Sequence, residues 1–317
     1  MKRTGFYVLI AVLALCLGGL CCGCWRMYRD LQDLHAQREE NEAQAARQQA
    51  REAQEARKIR AQQKEQERRQ KEMQGIQEPV QDLIAGFGEG DWAVYVKDLT
   101  GGGSFEVNSH QMESASLIKL YIMGAVWQEI QVGKLTYDQE IQELLLQMIT
   151  VSDNESSNRL VEALSPDGLS HPEGRIVVNG FAAANGFADT AQGRDLKDHR
   201  DVEPAEKNYT SVRDCGLFLE KVYRGECVSP EASAQMLGLL KMQQRREKIP
   251  AGLPEGTQAA NKTGEVSTME HDAAIVYGPG RDYVLCVMSA GLTDTWTARE
   301  HIREISALVY QGFGRLQ

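Results

Sequence analysis

The N-terminal segment of the chain contains a run of 20 residues, 5–24, without a single charged side chain. A helix of this length is about 30 Å long, which matches the hydrocarbon core of a bilayer. Lys2 and Arg3 precede the run, and basic residues favour the cytoplasmic side of a membrane. Residues 1–25 are therefore predicted to form an uncleaved signal-anchor that crosses the membrane once and places the rest of the chain outside the cytoplasm.

Two alternatives remain open for this segment. A cleaved signal peptide has a similar order of charges, although its apolar core is usually shorter than this run. A lipoprotein signal requires a cysteine behind small residues. Cys24 follows Gly23, but Cys21 and Cys22 precede that glycine, so the match is poor.

Residues 26–76 are rich in Gln, Glu, Arg and Ala and lack proline, a composition that favours helix. This segment is predicted to be a charged helical stalk. Alanines at positions 43, 46, 50 and 53 keep the spacing of a coiled-coil seam. A firm coiled coil needs larger side chains at these positions, so a single solvated helix is preferred. An oligomerisation zipper is the alternative, and the sequence leaves the oligomeric state open.

Residues 77–317 are predicted to be the globular domain. Outside the anchor and the stalk, 35 acidic residues face 21 basic ones, and so acidic a domain is a poor partner for nucleic acid. Cys215, Cys227 and Cys286 lie in this domain. The first two could form a disulfide, or all three could be buried thiols. The spacing of histidines and cysteines predicts no metal site, and no cofactor is expected.

The order of secondary structure in the domain predicts its fold class. A short helix at 78–88 and two strands at 91–99 and 104–109 come first. Helices follow at 116–131, 137–149, 155–164, 211–224 and 230–246, with an irregular stretch at 165–210. Strands at 257–267, 271–278 and 282–291 and a helix at 295–313 end the chain. This order predicts an α+β fold of two lobes, in which a five-stranded antiparallel sheet with flanking helices packs beside an all-helical lobe.

The segment "SASLIKLY" at 114–121 holds the first candidate catalytic residues. Ser116 and Lys119 are three residues apart and share one face of a helix. A serine hydroxyl is a weak nucleophile until a base takes its proton, and a desolvated lysine can serve as that base. A position in the first helical turn also brings backbone N–H groups near a developing oxyanion.

Two further short segments carry residues of matching chemistry. In "TVSDNESSN" at 150–158, Ser152 could relay a proton and Asn154 could bind a substrate amide, while Asp153 could cap the following helix. In "ANKTGEV" at 260–266, Lys262 and Thr263 could hold a carboxylate. Gly264 would let a substrate backbone approach, and the N–H of Glu265 could form an oxyanion pair with that of Ser116.

The motifs S-x-x-K, S-D-N and K-T-G occur here in that order, 36 and then 110 residues apart. Residues 77–317 thereby resemble the class A β-lactamases and the wider family of penicillin-recognising serine hydrolases. The resemblance implies the two-lobed β-lactamase fold, a bacterial membrane as the location of the anchor, and β-lactams or peptidoglycan stem peptides as substrates.

The resemblance also assigns a role to each motif residue. It implies that Ser116 is the acylated nucleophile and Lys119 its base, and that Ser152 shuttles a proton. Asn154 would position the substrate amide, and Lys262 with Thr263 would hold the substrate carboxylate. The reaction would be acyl transfer through a serine ester.

The function then depends on a glutamate that activates water to remove the acyl group. In the family this glutamate precedes a proline, and an asparagine follows shortly after. "RDVEPAEKNYTS" at 200–211 offers Glu203 before Pro204, but Asn208 comes one residue late and Glu206 is a competing candidate. With a working glutamate, the chain is expected to be a β-lactamase. Without one it is expected to be a penicillin-binding protein or D,D-peptidase that deacylates slowly. A non-catalytic surface module is the third alternative.

Overall fold

The computed structural model describes residues 2–196, 206–278 and 280–316, and from residue 8 onward it also describes their side chains. The chain divides into two compact units, Met1–Glu67 and Arg68–Gln317. Glu203 and Pro204 lie outside the described residues.

The first unit belongs to a single long helix, α1, which spans Lys2–Ala85. Its side chains from residue 8 to residue 64 are exposed throughout. Among the described residues, α1 is the one helix long and apolar enough near its start to cross a membrane, a test that an N-terminal signal sequence also passes.

The second unit contains the end of α1 and all the remaining elements. Its strands are β1 (Asp91–Asp98), β2 (Ser104–Val107), β3 (Met112–Glu113), β4 (Tyr209–Thr210), β5 (Ala259–Val266), β6 (Met269–Tyr277) and β7 (Asp282–Ala290). Its helices are α2 (Ile118–Gln131), α3 (Gln139–Thr150), α4 (Asn154–Ala163), α5 (His171–Ala184), α6 (Val212–Arg224), α7 (Pro230–Lys241) and α8 (Thr295–Gly314), with 3-10 turns at Ala115–Leu117 and Ile249–Gly252.

Five strands form one antiparallel sheet in the order β2-β1-β7-β6-β5, so β5 is an edge strand. Alternate side chains of a strand point to opposite faces. In β1, Ala93 and Tyr95 accordingly contribute to one apolar core and Val94 and Val96 to the other. The α+β architecture predicted from the sequence is confirmed.

The two cores lie on opposite faces of the sheet. One combines the sheet with the helices between β3 and β5. The other covers the opposite face with α8 and with Met73, Ile76 and Val80 from the end of α1. Helix α2 is buried from Ile118 to Trp127, because its side chains there are largely apolar on every face, with Lys119 as the one charged exception.

Three features differ from the sequence-based expectations. The helix predicted at 78–88 is the last part of α1, which continues through Pro79. The stretch expected to be irregular, 165–210, contains α5, which Ser170 caps through the N–H of Glu173. Glycines and prolines around α5 hid its apolar stripe. The strands β3 and β4 form a small second sheet of two residues each, too short to give a sequence pattern.

The three cysteines of this unit are buried free thiols, so the alternative of a disulfide between Cys215 and Cys227 does not hold. Burial raises the pKa of each of these two thiols to about 12, and they therefore stay protonated at neutral pH.

Candidate active site

The candidate nucleophile lies at the junction between the sheet and the helical lobe. Ser116 is partly exposed within the 3-10 turn Ala115–Leu117, which leads directly into α2. Ala115 has a φ of 43°, a conformation that costs energy for a residue with a side chain. Such strained residues cluster at functional sites, where the surrounding structure holds them in place.

The second motif lies between α3 and α4. Ser152 also has a positive φ, 64°. The expected cap is confirmed, because the Asp153 carboxylate accepts a hydrogen bond of 2.7 Å from the backbone N–H of Ser156. With Asp153 used by the helix, the side chains of Ser152 and Asn154 are directed to other partners.

Lys119 brings the first and second motifs together. Its side chain is fully buried on α2. The Nζ atom donates to the carbonyl oxygen of Ser152 at 2.6 Å, to Ser152 Oγ at 3.2 Å and to Asn154 Oδ1 at 2.7 Å. A buried amine without such partners would be strongly unfavourable, so these contacts fix its position in the site.

Lys262 brings the third motif to the same hydroxyl. Its buried Nζ lies 2.8 Å from Ser152 Oγ and 2.8 Å from the carbonyl oxygen of Thr263. Burial lowers the pKa of Lys262 well below its ordinary value, and the nearby charges of Lys119 and Arg245 lower it further. Ser152 Oγ therefore accepts from two amines, and its own proton is available to a third group.

Gly264 lies where β5 packs against the 3-10 turn Ala115–Leu117, which is called the nucleophile turn because it holds the candidate nucleophile Ser116. A Cβ atom at this position would come within 3.2 Å of the Ser114 carbonyl oxygen and 3.3 Å of Ala115 Cβ. The absence of a side chain thus allows the strand and the turn to approach closely. Glu265 follows with a half-buried side chain that pairs with Arg245.

Buried polar groups on β6, the strand next to β5, hold β5 in place through hydrogen bonds. The Asp272 carboxylate accepts from Asn261 Nδ2 at 3.0 Å and from the backbone N–H of Ile249 at 2.9 Å. Burial raises the pKa of Asp272 to about 6. These hydrogen bonds connect β5, β6 and the turn Ile249–Gly252.

His271 connects β6 to β3, the strand that precedes the candidate nucleophile. Its Nδ1 accepts from the N–H of Ser289 at 3.2 Å, so the ring proton resides on Nε2 and is donated to the Glu113 carbonyl oxygen at 3.0 Å. Burial lowers the pKa of His271 to about 4. The imidazole is therefore neutral at pH 7 and acts as a fixed hydrogen-bonding link.

The loop that carries the expected deacylating glutamate is anchored on both sides of its undescribed part. Arg194 and Lys207 each lie 2.9 Å from a carboxylate oxygen of Glu113. Asn208 accepts from the N–H groups of Gly193 and Arg194, both at 3.0 Å. The asparagine of the expected pattern thus holds the base of the loop. Glu206, the competing candidate, is exposed.

Sequence reasoning missed three supporting residues: Glu113, His271 and Lys248. All three act through contacts with residues elsewhere in the sequence. Glu113 and His271, for example, are 158 positions apart. Lys248 stands in the charged stretch "QQRREKIP", which is typical of a solvated surface, yet its side chain is fully buried. Lys248 differs from a surface lysine by its burial, which sequence patterns do not reveal.

The arrangement contains the parts needed for acyl transfer. A serine lies at the start of a helix, and two buried amines share one further serine hydroxyl, which can pass a proton. No group of three or more His, Cys, Asp or Glu side chains suited to a metal ion occurs in the part of the chain that the structure describes.

Comparison with known proteins places these features in context. The model of a family described as "Beta-lactamase enzyme family" matches residues 75–143 and 140–313. The β-lactamase of Sphaerobacter thermophilus is 22% identical, with a TM-score of 0.66 over 76% of this chain and 97% of its own. PBP-A is 25% identical, with a TM-score of 0.67 over 76% of this chain and 96% of its own. None of the curated proteins compared with the chain matches it.

Proposed function

The chain belongs to the beta-lactamase enzyme family, and we propose that it is a serine hydrolase that opens β-lactam rings through an acyl-enzyme on Ser116. The observation that carries the proposal is the convergence of all three motifs on Ser152, whose hydroxyl lies 3.2 Å from Lys119 Nζ and 2.8 Å from Lys262 Nζ. A structural role alone does not require two buried lysines at one serine, because each buried amine costs desolvation energy.

In the proposed acylation, Lys119 reacts as the free amine, which donates at most two of its three hydrogen bonds and keeps a lone pair on Nζ. Ser116 Oγ attacks the lactam carbonyl carbon while this lone pair accepts the serine proton, and Lys119 becomes an ammonium ion. The backbone N–H groups of Ser116 and Glu265 stabilise the oxyanion. As the carbon–nitrogen bond breaks, Ser152 gives its proton to the ring nitrogen and regains one from Lys119. The product is a serine ester with an opened ring, and all protons are accounted for.

The remaining motif residues position the substrate in this proposal. Lys262 and Thr263 hold the carboxylate of the β-lactam, and Asn154 bonds the side-chain amide. Burial and then the neighbouring charges of Lys119 and Arg245 lower the pKa of Lys262, and a bound carboxylate would oppose both effects by stabilising the ammonium form. A negatively charged substrate is thereby favoured over a neutral one.

Hydrolysis of the ester requires an activated water, and we assign that step to Glu203. It lies outside the described residues, between anchor points at Arg194 and Lys207 that both bind Glu113. Glu113 in turn adjoins the nucleophile turn in sequence. The described residues on either side of Glu203 in the sequence thus bind close to Ser116 in the chain, which supports the assignment.

A second candidate function is that of a penicillin-binding or D,D-peptidase-like acyltransferase acting on peptidoglycan stem peptides. The similarity to PBP-A favours it, since a variant of that protein was solved as an acyl-enzyme complex with penicillin G, at 25% identity to this chain. In this candidate, acylation at Ser116 is the same and deacylation is slow.

We further propose that residues 1–25 anchor the protein in the bacterial membrane and that residues 26–76 form a stalk. The exposed apolar start of α1 and the exposed charged helix that follows support this organisation. The domain would then act outside the cytoplasm, close to the cell wall.

A mass-spectrometric time course on the full chain in detergent with benzylpenicillin tests these proposals. It follows the protein mass and the free drug together. A transient adduct with loss of drug supports the β-lactamase, and a persistent adduct supports the slowly deacylating alternative. No adduct would contradict both and leave the non-catalytic module. Ser116→Ala removes the adduct in either catalytic case, whereas Ser114→Ala, two residues earlier, retains it.

A further inference from the structure

Lys248 is a fully buried lysine behind the edge strand that carries the third motif. It lies one residue before the turn Ile249–Gly252. Its Nζ atom donates to the carbonyl oxygens of Gly264 and His271, both at 3.1 Å. It also lies 2.5 Å from a carboxylate oxygen of Glu270 and 3.5 Å from one of Glu265.

These contacts fix the direction of one peptide group. Gly264 on β5 pairs with His271 on β6. Because Lys248 reaches the carbonyl oxygens of both residues, the Gly264 carbonyl points toward the β6 side. In a trans peptide the following N–H points the opposite way, so the N–H of Glu265 faces the open edge of the sheet. The nucleophile turn packs against β5 at Gly264.

We propose that Lys248 is a positioning residue for the oxyanion-binding N–H of Glu265. This inference rests on the proposed function, in which that N–H and the N–H of Ser116 stabilise the oxyanion. A cation bonded to the carbonyl of a peptide polarises the whole amide, and its N–H becomes a stronger donor. The same bond restricts rotation of the peptide plane, so the donor is oriented before the substrate arrives.

Acidic side chains next to Lys248 favour its charged form in a buried place. Burial lowers the pKa of the Lys248 ammonium, and the Glu270 carboxylate opposes this shift. Arg299 lies 2.8 Å from the other carboxylate oxygen of Glu270 and 3.4 Å from Glu265. Arg299 therefore shares both acidic partners of Lys248, while its own side-chain hydrogen bonds in the described structure go to these two carboxylates and not to a carbonyl of β5. This difference offers a matched control.

The test compares Lys248→Met with Arg299→Met in the full chain. Each variant removes one positive charge from Glu270, but only the first releases the Gly264 carbonyl. We measure the rate constant of acylation by benzylpenicillin and the infrared stretching frequency of the ester carbonyl in the acyl-enzyme. That frequency rises when the hydrogen bonds to the carbonyl oxygen weaken, and a loss of stability alone does not move it.

For Lys248→Met we expect acylation to slow by about 10- to 100-fold, less than the 10²–10³-fold typical of losing an oxyanion donor outright. The ester frequency should rise in Lys248→Met and stay at the wild-type value in Arg299→Met. If Lys248→Met does not fold, Lys248→Gln replaces it, and its uncharged donor should give a smaller shift in the same direction.

An unchanged rate and ester frequency in the Lys248 variant, with a wild-type protein that acylates normally, would overturn this inference and leave the proposed function intact. Equal shifts in the Lys248 and Arg299 variants would also overturn it, because the charge of the cluster and not the carbonyl contact would then be responsible. Failure of the wild-type protein to acylate would overturn the proposed function and this inference together.

Discussion

Lys262 donates to the hydroxyl of Ser152 across 2.8 Å, although 110 residues separate them in the chain. The contact joins the edge strand of the sheet to the helical lobe. It also places a third polar group beside the pair that Lys119 forms with Ser152. The proposed catalysis depends on this contact, because it brings amines from the sheet and from the helical lobe to one hydroxyl.

Replacement of Lys119 by methionine tests the proposed base. We expect the acylation rate constant for benzylpenicillin to fall by about 10²–10⁴-fold, the usual contribution of general base catalysis. The free energy of unfolding should also fall by about 1–3 kcal/mol, because the oxygen atoms of Ser152 and Asn154 lose a buried donor. Rapid-quench mass spectrometry and urea unfolding measure the two effects.

The matched control is Lys134→Met, whose side chain is largely exposed and pairs with Glu129 at the surface. It should change neither quantity by much. A Lys119→Met protein that acylates at the wild-type rate would assign the base to another group.

Replacement of Glu203 by glutamine tests the proposed deacylation step. Acylation should keep its rate, while the acyl-enzyme should persist longer by about 10²–10⁴-fold because the water loses its base. The comparison variant is Glu206→Gln, three residues away in the same loop, which should turn over benzylpenicillin normally. If both variants turn over as fast as the wild type, neither carboxylate activates the water.

Asp272 and His271 are neighbours in β6, and both side chains are buried. Their shifted pKa values predict an unusual pH dependence of stability. Asp272 has a folded pKa of about 6 against an ordinary 3.8. Since the folded state holds this proton more tightly, acidification from pH 6 to 4 adds up to about 3 kcal/mol of stability. His271 has a folded pKa of about 4 against 6.5, so acidification from pH 6.5 to 4 removes about 3 kcal/mol.

The two contributions oppose each other, and Asp272→Asn removes only the stabilising one. Between pH 7 and pH 4.5 the variant should therefore lose about 2 kcal/mol more unfolding free energy than the wild type. Urea unfolding curves at both pH values give this difference. Parallel losses in the two proteins would show that Asp272 does not take up a proton in this range.

Replacement of Gly264 by alanine tests the close approach of β5 to the nucleophile turn. The added Cβ would come within 3.2 Å of His271 Cδ2 and of the Ser114 carbonyl oxygen, so the strand or the turn has to shift. A displacement of about 1 Å in an active site can slow a reaction by about 10²-fold, and we expect acylation to slow accordingly.

Gly238→Ala on α7 is the control for this change, because its added Cβ would meet no atom within 4 Å beyond its chain neighbours and the adjacent backbone of its own helix. It should stabilise the protein by about 0.5–1 kcal/mol and leave acylation unchanged, since alanine is the better helix former. Normal acylation in Gly264→Ala would mean that the turn and the strand shift to accommodate the added methyl group without slowing the reaction.

Much of the fold was predictable from the sequence because its signals are local. The alternation in β1 and the apolar run of β7 identify strands, and the same reasoning located α2 and α8 to within a few residues. Helix α5 escaped this reasoning, since Pro172, Gly174 and Gly180 within it are read as loop residues. Tertiary packing of Val178 and Phe181 outweighs that preference.

The sequence by itself determined the family, because three short motifs in a fixed order specify both a chemistry and a fold. The family expectation is confirmed, while the individual roles of the motif residues stay predictions. Only the tertiary structure decided how the motifs are supported. Lys248, His271 and Glu113 act through contacts between residues far apart in the chain. The free energy of a buried charge depends on partners that no local pattern records.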